Sequence, residues 1–175
     1  FNSLSLPSKY NSGFTFMADA PMKELAKPKV EFLKDHIIGA NRYLKIRITP
    51  NRKVNRYDVF ANEDLNIHNF KANGLSLLGQ KGSKYERKGK KLLSYYLVNQ
   101  LPLEIEFSFA ASSVLDLDVM ESSFDLMSNP LFQMQKRANW MMPTPFVLND
   151  AVVIKQKIKS SPKMVKAIGL NVGNA

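Results

Sequence analysis

The sequence predicts an all-β fold, an antiparallel β-sandwich of Ig-like or jelly-roll-like type. Apolar and polar residues alternate over many short runs, the runs recur about every 8–12 residues, and turn-forming residues lie between them. Helical periodicity is weak throughout the 175 residues. A chain of this length with 45% hydrophobic residues can bury one core, so we expect one main domain.

The clearest predicted strand covers residues 103–109, in which every second residue is apolar. Because the side-chain period of a strand is two, such a run has one buried face and one solvated face. A continuous apolar run at 92–98 predicts a strand buried on both faces. The other strand-like runs are 30–34, 44–49, 57–61, 65–77 around an Asn73-Gly74 turn, 115–119 and 152–159.

Composition divides the chain into three parts. Residues 1–26 are rich in Ser, Asn, Pro and Gly, which predicts a tether or a first short strand, with Phe14-Thr15-Phe16 as the strand-like part. Residues 27–160 carry the sandwich, with the proline-containing segment described below packed near one end, and residues 161–175 form a basic C-terminal tail. The first residue is Phe1, so we expect either a piece of a longer polypeptide or a processed protein.

Residue types that catalysis often needs are scarce. The chain has no cysteine, which excludes thiolate metal sites and cysteine nucleophiles. Its two histidines, His36 and His68, lie in no H-E-x-x-H or H-x-E pattern. No G-x-S-x-G elbow and no Gly-rich phosphate loop is present. We therefore predict no catalytic residue, cofactor site or metal site in these residues.

Two carboxylate pairs have the spacing of one strand face. Glu104 and Glu106 form one pair, and Asp116 and Asp118 form the other. In each pair both side chains project from the face opposite the apolar residues. We interpret them as part of a solvated outer face and not as the acid and base of a glycosidase.

The formal net charge is +10, and part of it is concentrated in residues 80–91. We expect this stretch to be a long exposed hairpin loop between two strands. Nucleic-acid binders of β type interleave aromatic residues for stacking, and only Tyr85 lies among the bases, so we expect no nucleic-acid partner. An anionic membrane surface is an alternative partner. The basic residues concerned are Lys81, Lys84, Arg87, Lys88, Lys90 and Lys91.

Residues 121–145 interrupt the strand pattern. They are too apolar for a solvated loop and, with three prolines, too broken for a ladder strand. We expect the segment either to cap one end of the sandwich or to contact a partner, since Met and Trp clusters make adaptable surfaces. The candidate interaction residues are Phe124, Arg137, Trp140, Met141 and Met142.

Four motifs follow one another here: the turn ESSFDL at 121–126, Arg137-Ala138, the proline-rich stretch 141–145 and the Asp-led run 150–153. Their order resembles the C-terminal end of membrane-integral zinc aminopeptidases, relatives of the vacuolar membrane protease and the endoplasmic-reticulum metallopeptidase. Asp125 and Ala138 replace a glycine and a proline of that pattern. Residues 44–50 and 59–74 resemble the opening of the same domain, so the similarity spans most of residues 28–160.

The resemblance implies a parent protein with an N-terminal dizinc peptidase domain, then transmembrane helices, then this domain on the periplasmic or lumenal side. The metal-binding motifs of that family have no counterpart in these residues. The implied role is therefore a non-catalytic accessory domain, with zinc expected only in the catalytic domain of the parent. Its implied partners are that catalytic domain and the transmembrane helices of the same polypeptide.

Two other hypotheses stay open at this stage. One is a stand-alone extracytoplasmic binding module that recognises a glycan, a lipid surface or a protein through residues 121–145. The other is a nucleic-acid binder, for which affinity would fall steeply with salt.

Overall fold

The described part of the chain is all-β, as the sequence predicts. Antiparallel strands form two sheets that pack together as a sandwich. Within these residues there is no helix long and apolar enough to cross a membrane. The structure is a computed structural model that describes residues 2–4, 15–17, 19, 23–76, 80–143 and 149–160.

The strands are short at the start of the chain and in the 75–85 region, and longer elsewhere. They are β1 (Asn2–Leu4), β2 (Thr15–Met17), β3 (Lys29–Ile38), β4 (Asn41–Thr49), β5 (Arg56–Ala61), β6 (His68–Ala72), β7 (Leu75–Ser76), β8 (Gln80–Lys81), β9 (Lys84–Tyr85), β10 (Lys91–Tyr96), β11 (Leu103–Ala110), β12 (Leu115–Ser123) and β13 (Val152–Ser160).

The larger sheet has the strand order β3-β4-β11-β6-β9-β8, and β7 pairs with β6. The smaller sheet has the order β10-β5-β12-β13. Strands β1 and β2 pair only with each other among the described strands. Residues 15–17 therefore include part of the strand expected near the start of the chain. Phe14, most of the predicted tether and the tail 161–175 lie outside the described residues.

The alternating runs place their apolar residues in one core between the sheets. In β11 the buried residues are Leu103, Ile105, Phe107 and Phe109, as the alternation predicts. The Phe107 ring lies 6.0 Å from that of Phe70 and 5.8 Å from that of Phe109, measured between centroids. Aromatic contacts within β11 and between β11 and β6 thus fill the part of the core that lies against the larger sheet.

The prediction for residues 92–98 is wrong in part. Leu92 and Leu93 are buried, but Tyr96 and Val98 are 59% and 64% exposed. The reason is that β10 is the edge strand of the smaller sheet and pairs only with β5 among the described strands. An apolar run at a sheet edge keeps one solvated side, which the run itself does not reveal.

The prediction of one long loop at 80–91 is also wrong in part. Strands β8 and β9 pair as a tight hairpin, with Gly82 at φ 59° in the turn. The remaining residues, 86–90, connect this hairpin to β10. Tyr85 is half-buried and stacks on Phe70, with 4.8 Å between ring centroids. The stretch therefore belongs to the larger sheet at one end.

The predicted Asn73-Gly74 turn joins β6 and β7. Asn73 and Gly74 have φ values of 47° and 81°, in the left-handed region that glycine and asparagine tolerate best. The Asn73 side chain accepts a hydrogen bond from the Glu104 amide (2.7 Å) and donates one to the Tyr95 hydroxyl (2.9 Å). This turn therefore links the larger sheet to β10 of the smaller one.

A buried arginine makes a second link between the sheets. Arg42 of β4 is 1% exposed and pairs through two nitrogens with the Asp35 carboxylate of β3, at 2.8 and 2.9 Å. The same guanidinium donates to the Ser160 hydroxyl at the end of β13, at 2.6 Å. A buried charge needs such partners, so this end of the sandwich is fixed in register.

Candidate functional site

The residues that follow β12 form the apolar segment, residues 124–143. It has no regular strand or helix, and most of its large hydrophobic side chains are exposed. Trp140 is 79% exposed and Met142 is 90% exposed. Leaving apolar side chains in water is unfavourable compared with burying them, so their exposure needs an explanation. The exposed members are Phe124, Leu131, Met134, Trp140, Met141 and Met142.

The start of the apolar segment is tied to the sandwich by hydrogen bonds. The Phe124 amide donates to the Asn55 side-chain oxygen (2.8 Å). The Asp125 carboxylate accepts from the Ser123 hydroxyl (2.5 Å) and from the Asn129 amide group (2.9 Å). These bonds hold the backbone in a defined turn, so the exposed side chains are not simply on an untethered loop.

The far part of the segment is tied to residues just before β13. Arg137 pairs with the Asp150 carboxylate, and the Asp150 carbonyl accepts from the Leu126 amide (3.0 Å). Arg137 therefore acts as an anchor within the domain, and its role as an interaction residue stays a prediction. The end-capping hypothesis accounts for these anchors, but it does not account for the exposure of Trp140 and Met142.

An open cleft of about 350 Å³ lies within the segment. Its lining combines apolar and basic side chains, which suits contact with a surface that carries both apolar and acidic groups. The lining residues are Met127, Gln135, Lys136, Arg137, Ala138 and Met141.

A buried polar cluster lies beneath the base of the segment. Glu121 of β12 is 0% exposed; its carboxylate accepts from the Arg52 guanidinium (2.8 Å) and from the Tyr57 hydroxyl (3.1 Å). Arg52 also bonds the Ser123 hydroxyl and the Val152 carbonyl (3.4 Å). The cluster thus joins the loop after β4 to both strands that flank the segment.

Burial shifts the pKa values of two groups in this cluster. It raises the pKa of the Glu121 carboxyl above its usual value, and this outweighs the lowering by the Arg52 charge and by the Tyr57 and Arg52 hydrogen bonds. Burial and the neighbouring Glu121 also raise the pKa of the Tyr57 hydroxyl. Sequence reasoning missed the cluster, although Glu121 continues the inward alternation of Leu117 and Val119.

Only some of the basic side chains in the 80–91 stretch are available to a partner, because others are bound within the domain. Arg87 donates to the main-chain carbonyls of Ala61 (3.1 Å), Gly89 (2.8 Å) and Leu65 (3.1 Å), and also to those of Asn62 and Glu63. Lys91 contacts the Asp58 carboxylate and lies over the Phe60 ring. Lys84, Lys88 and Lys90 are exposed, and the Lys81 side chain is outside the described part.

The carboxylate pairs lie on outer sheet faces, as the spacing predicts. Asp116 and Asp118 contact lysines of β13, and Glu104 is held by Lys45 (2.7 Å) and Arg47 (2.6 Å). Hydrogen bonds from Lys45 and Arg47 keep the pKa of Glu104 below its usual value.

The two histidines lie apart on the larger sheet. His36 stacks on Tyr43, with 5.5 Å between ring centroids, and the His68 Nδ1 lies 3.2 Å from the Ser83 hydroxyl. Among the described residues no group of three or more His, Asp or Glu side chains is placed to hold a metal ion.

Comparison of the chain with protein-family models, curated proteins and solved structures finds no match. Function is therefore inferred from the residues themselves and from their geometry.

Proposed function

We propose that this β-sandwich is a non-catalytic accessory domain of a membrane-anchored zinc aminopeptidase. In this proposal the domain lies on the periplasmic or lumenal side and its apolar segment packs on the catalytic domain of the same polypeptide. The observation that carries the proposal is the exposure of Trp140 and Met142 on an anchored backbone.

The anchors distinguish a binding surface from a loose loop. Ordering a segment costs conformational entropy, and the Arg137–Asp150 pair and the Asn55 bond to Phe124 offset that cost within the domain itself. Binding of a partner then costs less conformational entropy, because the backbone of the segment is already ordered, and this favours association.

The composition of the segment supports a protein surface as the partner. Trp and Met are enriched in the buried centres of protein interfaces, and Met side chains adapt to irregular surfaces. Lys136 supplies a charged group beside them, as at the rim of an interface. The order of motifs that resembles the aminopeptidase C-terminal domain lies in the same part of the chain, and this resemblance supports the catalytic domain as the partner.

The test uses the full-length protein whose reading frame contains this chain. We expect the double variant Trp140→Ser and Met142→Ser to lower the thermal midpoint of the zinc-loaded protein and to reduce turnover of leucine p-nitroanilide several-fold. The matched control is Val98→Ser, which alters an exposed apolar side chain just after β10 and should leave both measurements unchanged.

Three results would contradict the proposal. The first is a reading frame that encodes no His/Asp/Glu-rich domain and no apolar spans upstream of this chain. The 175-residue chain alone could bind zinc stoichiometrically and hydrolyse the substrate. The double variant could also match the wild type in thermal midpoint and turnover while the isolated domain is equally stable in both forms.

A further inference from the structure

A groove of about 330 Å³ crosses the outer face of the larger sheet, away from the apolar segment. Strands β3, β4, β11 and β6 all contribute side chains to it. Its volume falls at the low end of the roughly 300–1,000 Å³ typical of ligand sites. The lining residues are Lys34, His36, Tyr43, Leu44, Asn69, Lys71, Glu106, Phe107 and Ser108.

Irregular backbone shapes this groove on both sides. The pairing of β3 with β4 shifts register between Phe32 and Lys34, and the pairing of β11 with β6 shifts between Glu106 and Ser108. Asn69 adopts a left-handed φ of 52° beside the second shift. Bulges of this kind re-aim side chains and are common next to binding sites.

One wall of the groove is aromatic. Tyr43 stacks on His36 at an interplanar angle of 10°. The residue that pairs with Tyr43 on β11 is Ser108, whose small side chain leaves the space beyond the tyrosine unfilled. The flat aromatic pair therefore borders open space.

The charged side chains of the groove are free to meet a ligand. Within the described residues, the side chains of Lys34, Lys71 and Glu106 make no hydrogen bond or ion pair. Glu104, two residues earlier on the same face, is held by Lys45 and Arg47. Strand β11 thus carries one carboxylate that is paired with cations, Glu104, and one that accepts no hydrogen bond within the described residues, Glu106.

These groups match a hydroxyl-rich, uncharged ligand. Sugar hydroxyls both donate and accept hydrogen bonds, so they can use the lysine donors, the Glu106 acceptor and the Asn69 amide at once. The C–H face of a sugar ring can lie against the aromatic wall. Charges of both signs line the groove, so an ion of either sign would meet a like charge there, whereas an uncharged ligand meets none.

We propose that this groove binds a neutral oligosaccharide, with Tyr43 as the platform and Glu106, Lys71 and Asn69 as hydrogen-bonding groups. The site is independent of the accessory role proposed above, because it lies on a different surface and uses different residues.

The test begins with the 175-residue chain on a printed array of neutral and acidic glycans. The best neutral glycan is then titrated into the ¹⁵N-labelled chain. We expect amide shifts at groove residues of β4, β6 and β11, and none in the apolar segment. Tyr43→Ala should weaken binding about tenfold or more. Tyr43→Phe keeps the ring and should retain most of the affinity.

Two further variants complete the design. Tyr96→Ala removes an exposed tyrosine of the smaller sheet and should leave the affinity unchanged. Glu106→Gln keeps an acceptor and removes the charge, so neutral-glycan binding should fall only a few-fold. The proposal is overturned if no neutral glycan binds, if the shifts map to the apolar segment, or if Tyr43→Ala and Tyr96→Ala behave alike. Preferred binding of acidic glycans, or of zwitterionic tetraalanine titrated in parallel, would also overturn it.

Discussion

At the scale of single residues, Glu121 is an acidic side chain in the interior of the sandwich. Its carboxylate is fully buried, and its cation is Arg52, whose side chain is 13% exposed. Removing one partner of a buried pair leaves the other charge buried and unpaired. This destabilises the fold much more than replacing both partners does.

We therefore expect Arg52→Met to lower the free energy of unfolding by about 3–5 kcal/mol at pH 7. The loss should shrink at acid pH, because Glu121 already has a raised pKa and would bind a proton in the variant. A group with a raised folded pKa favours the folded state below that value and loses this contribution as the pH rises through it. Urea melts at pH 4 and pH 7 measure the difference.

Arg47→Met provides the matched control for this experiment. Arg47 also pairs with a glutamate, but its side chain is 41% exposed and Glu104 keeps Lys45 as a second partner. Exposed pairs contribute little, about 0–1 kcal/mol. Equal losses for the two variants, or a loss at Arg52 that grows at acid pH, would contradict the role assigned to the buried cluster.

At the scale of elements, Arg87 organises the connection between β5 and β6. Its guanidinium binds carbonyls of residues 61–65, which have no strand partners over most of that range. An arginine presents several donors in a rigid fork, whereas a lysine presents one compact charge.

We expect Arg87→Lys to loosen residues 62–66 while leaving the global unfolding transition nearly unchanged. Hydrogen exchange at the Leu65 amide, which donates to the Asn62 carbonyl, should accelerate about tenfold. Lys88→Arg serves as the control, because Lys88 is exposed and neighbouring. Unchanged exchange at Leu65 in the Arg87 variant would show that the loop is held by other contacts.

The sequence predicts the regular strands well and the irregular ones poorly. Strand β11 follows strict alternation, so its bounds and its buried face come directly from the pattern. Strand β3 extends to Ile38, beyond the predicted run, because its register shift at Phe32 breaks the alternation. Strand β10 lies at an edge, and edge position depends on the pairing of distant strands.

The candidate sites differ in how far sequence reveals them. The apolar segment is visible as apolar residues among prolines, whereas the anchoring role of Arg137 depends on its meeting with Asp150. The groove brings together residues of four strands that are separated along the chain. Neither His36 nor Glu106 carries a local signal of that meeting, so only the sheet order shows that both line one groove.

At the scale of the whole molecule, several carboxylates are bound to cations on the sheet faces. Burial raises the pKa of Asp58, but hydrogen bonds from Arg56, Ser94 and Lys91 outweigh it, so the pKa lies below its usual value. Asp118 shows the same balance between burial and the lysines of β13, with the same net direction.

We expect stability to fall on acidification. A carboxyl with a lowered folded pKa stabilises the fold above its unfolded pKa of about 4, and this contribution is lost as the pH falls through the folded value. The pKa shifts of Asp58, Glu104 and Asp118 all act in this direction, whereas the raised pKa of Glu121 acts in the opposite one. Thermal melts from pH 6 to pH 2 measure the trend.

The variant Asp58→Asn tests whether the lowered pKa of Asp58 causes part of the acid sensitivity. Asp58→Asn should lower stability at pH 6, because the guanidinium of Arg56 loses its charged partner, and should reduce the slope of the pH dependence. A variant slope equal to that of the wild type would assign the acid sensitivity to other groups.

The turn at Asn73 has a consequence for the lifetime of the molecule. Asparagine before glycine loses ammonia more readily than in other contexts, because glycine offers no side chain to block attack by its own nitrogen on the amide carbon. The bonds to Glu104 and Tyr95 immobilise that amide and oppose the reaction. Heat and alkali that loosen this corner would convert it to aspartate or isoaspartate, and the chain would then age chemically at the point where its two sheets meet.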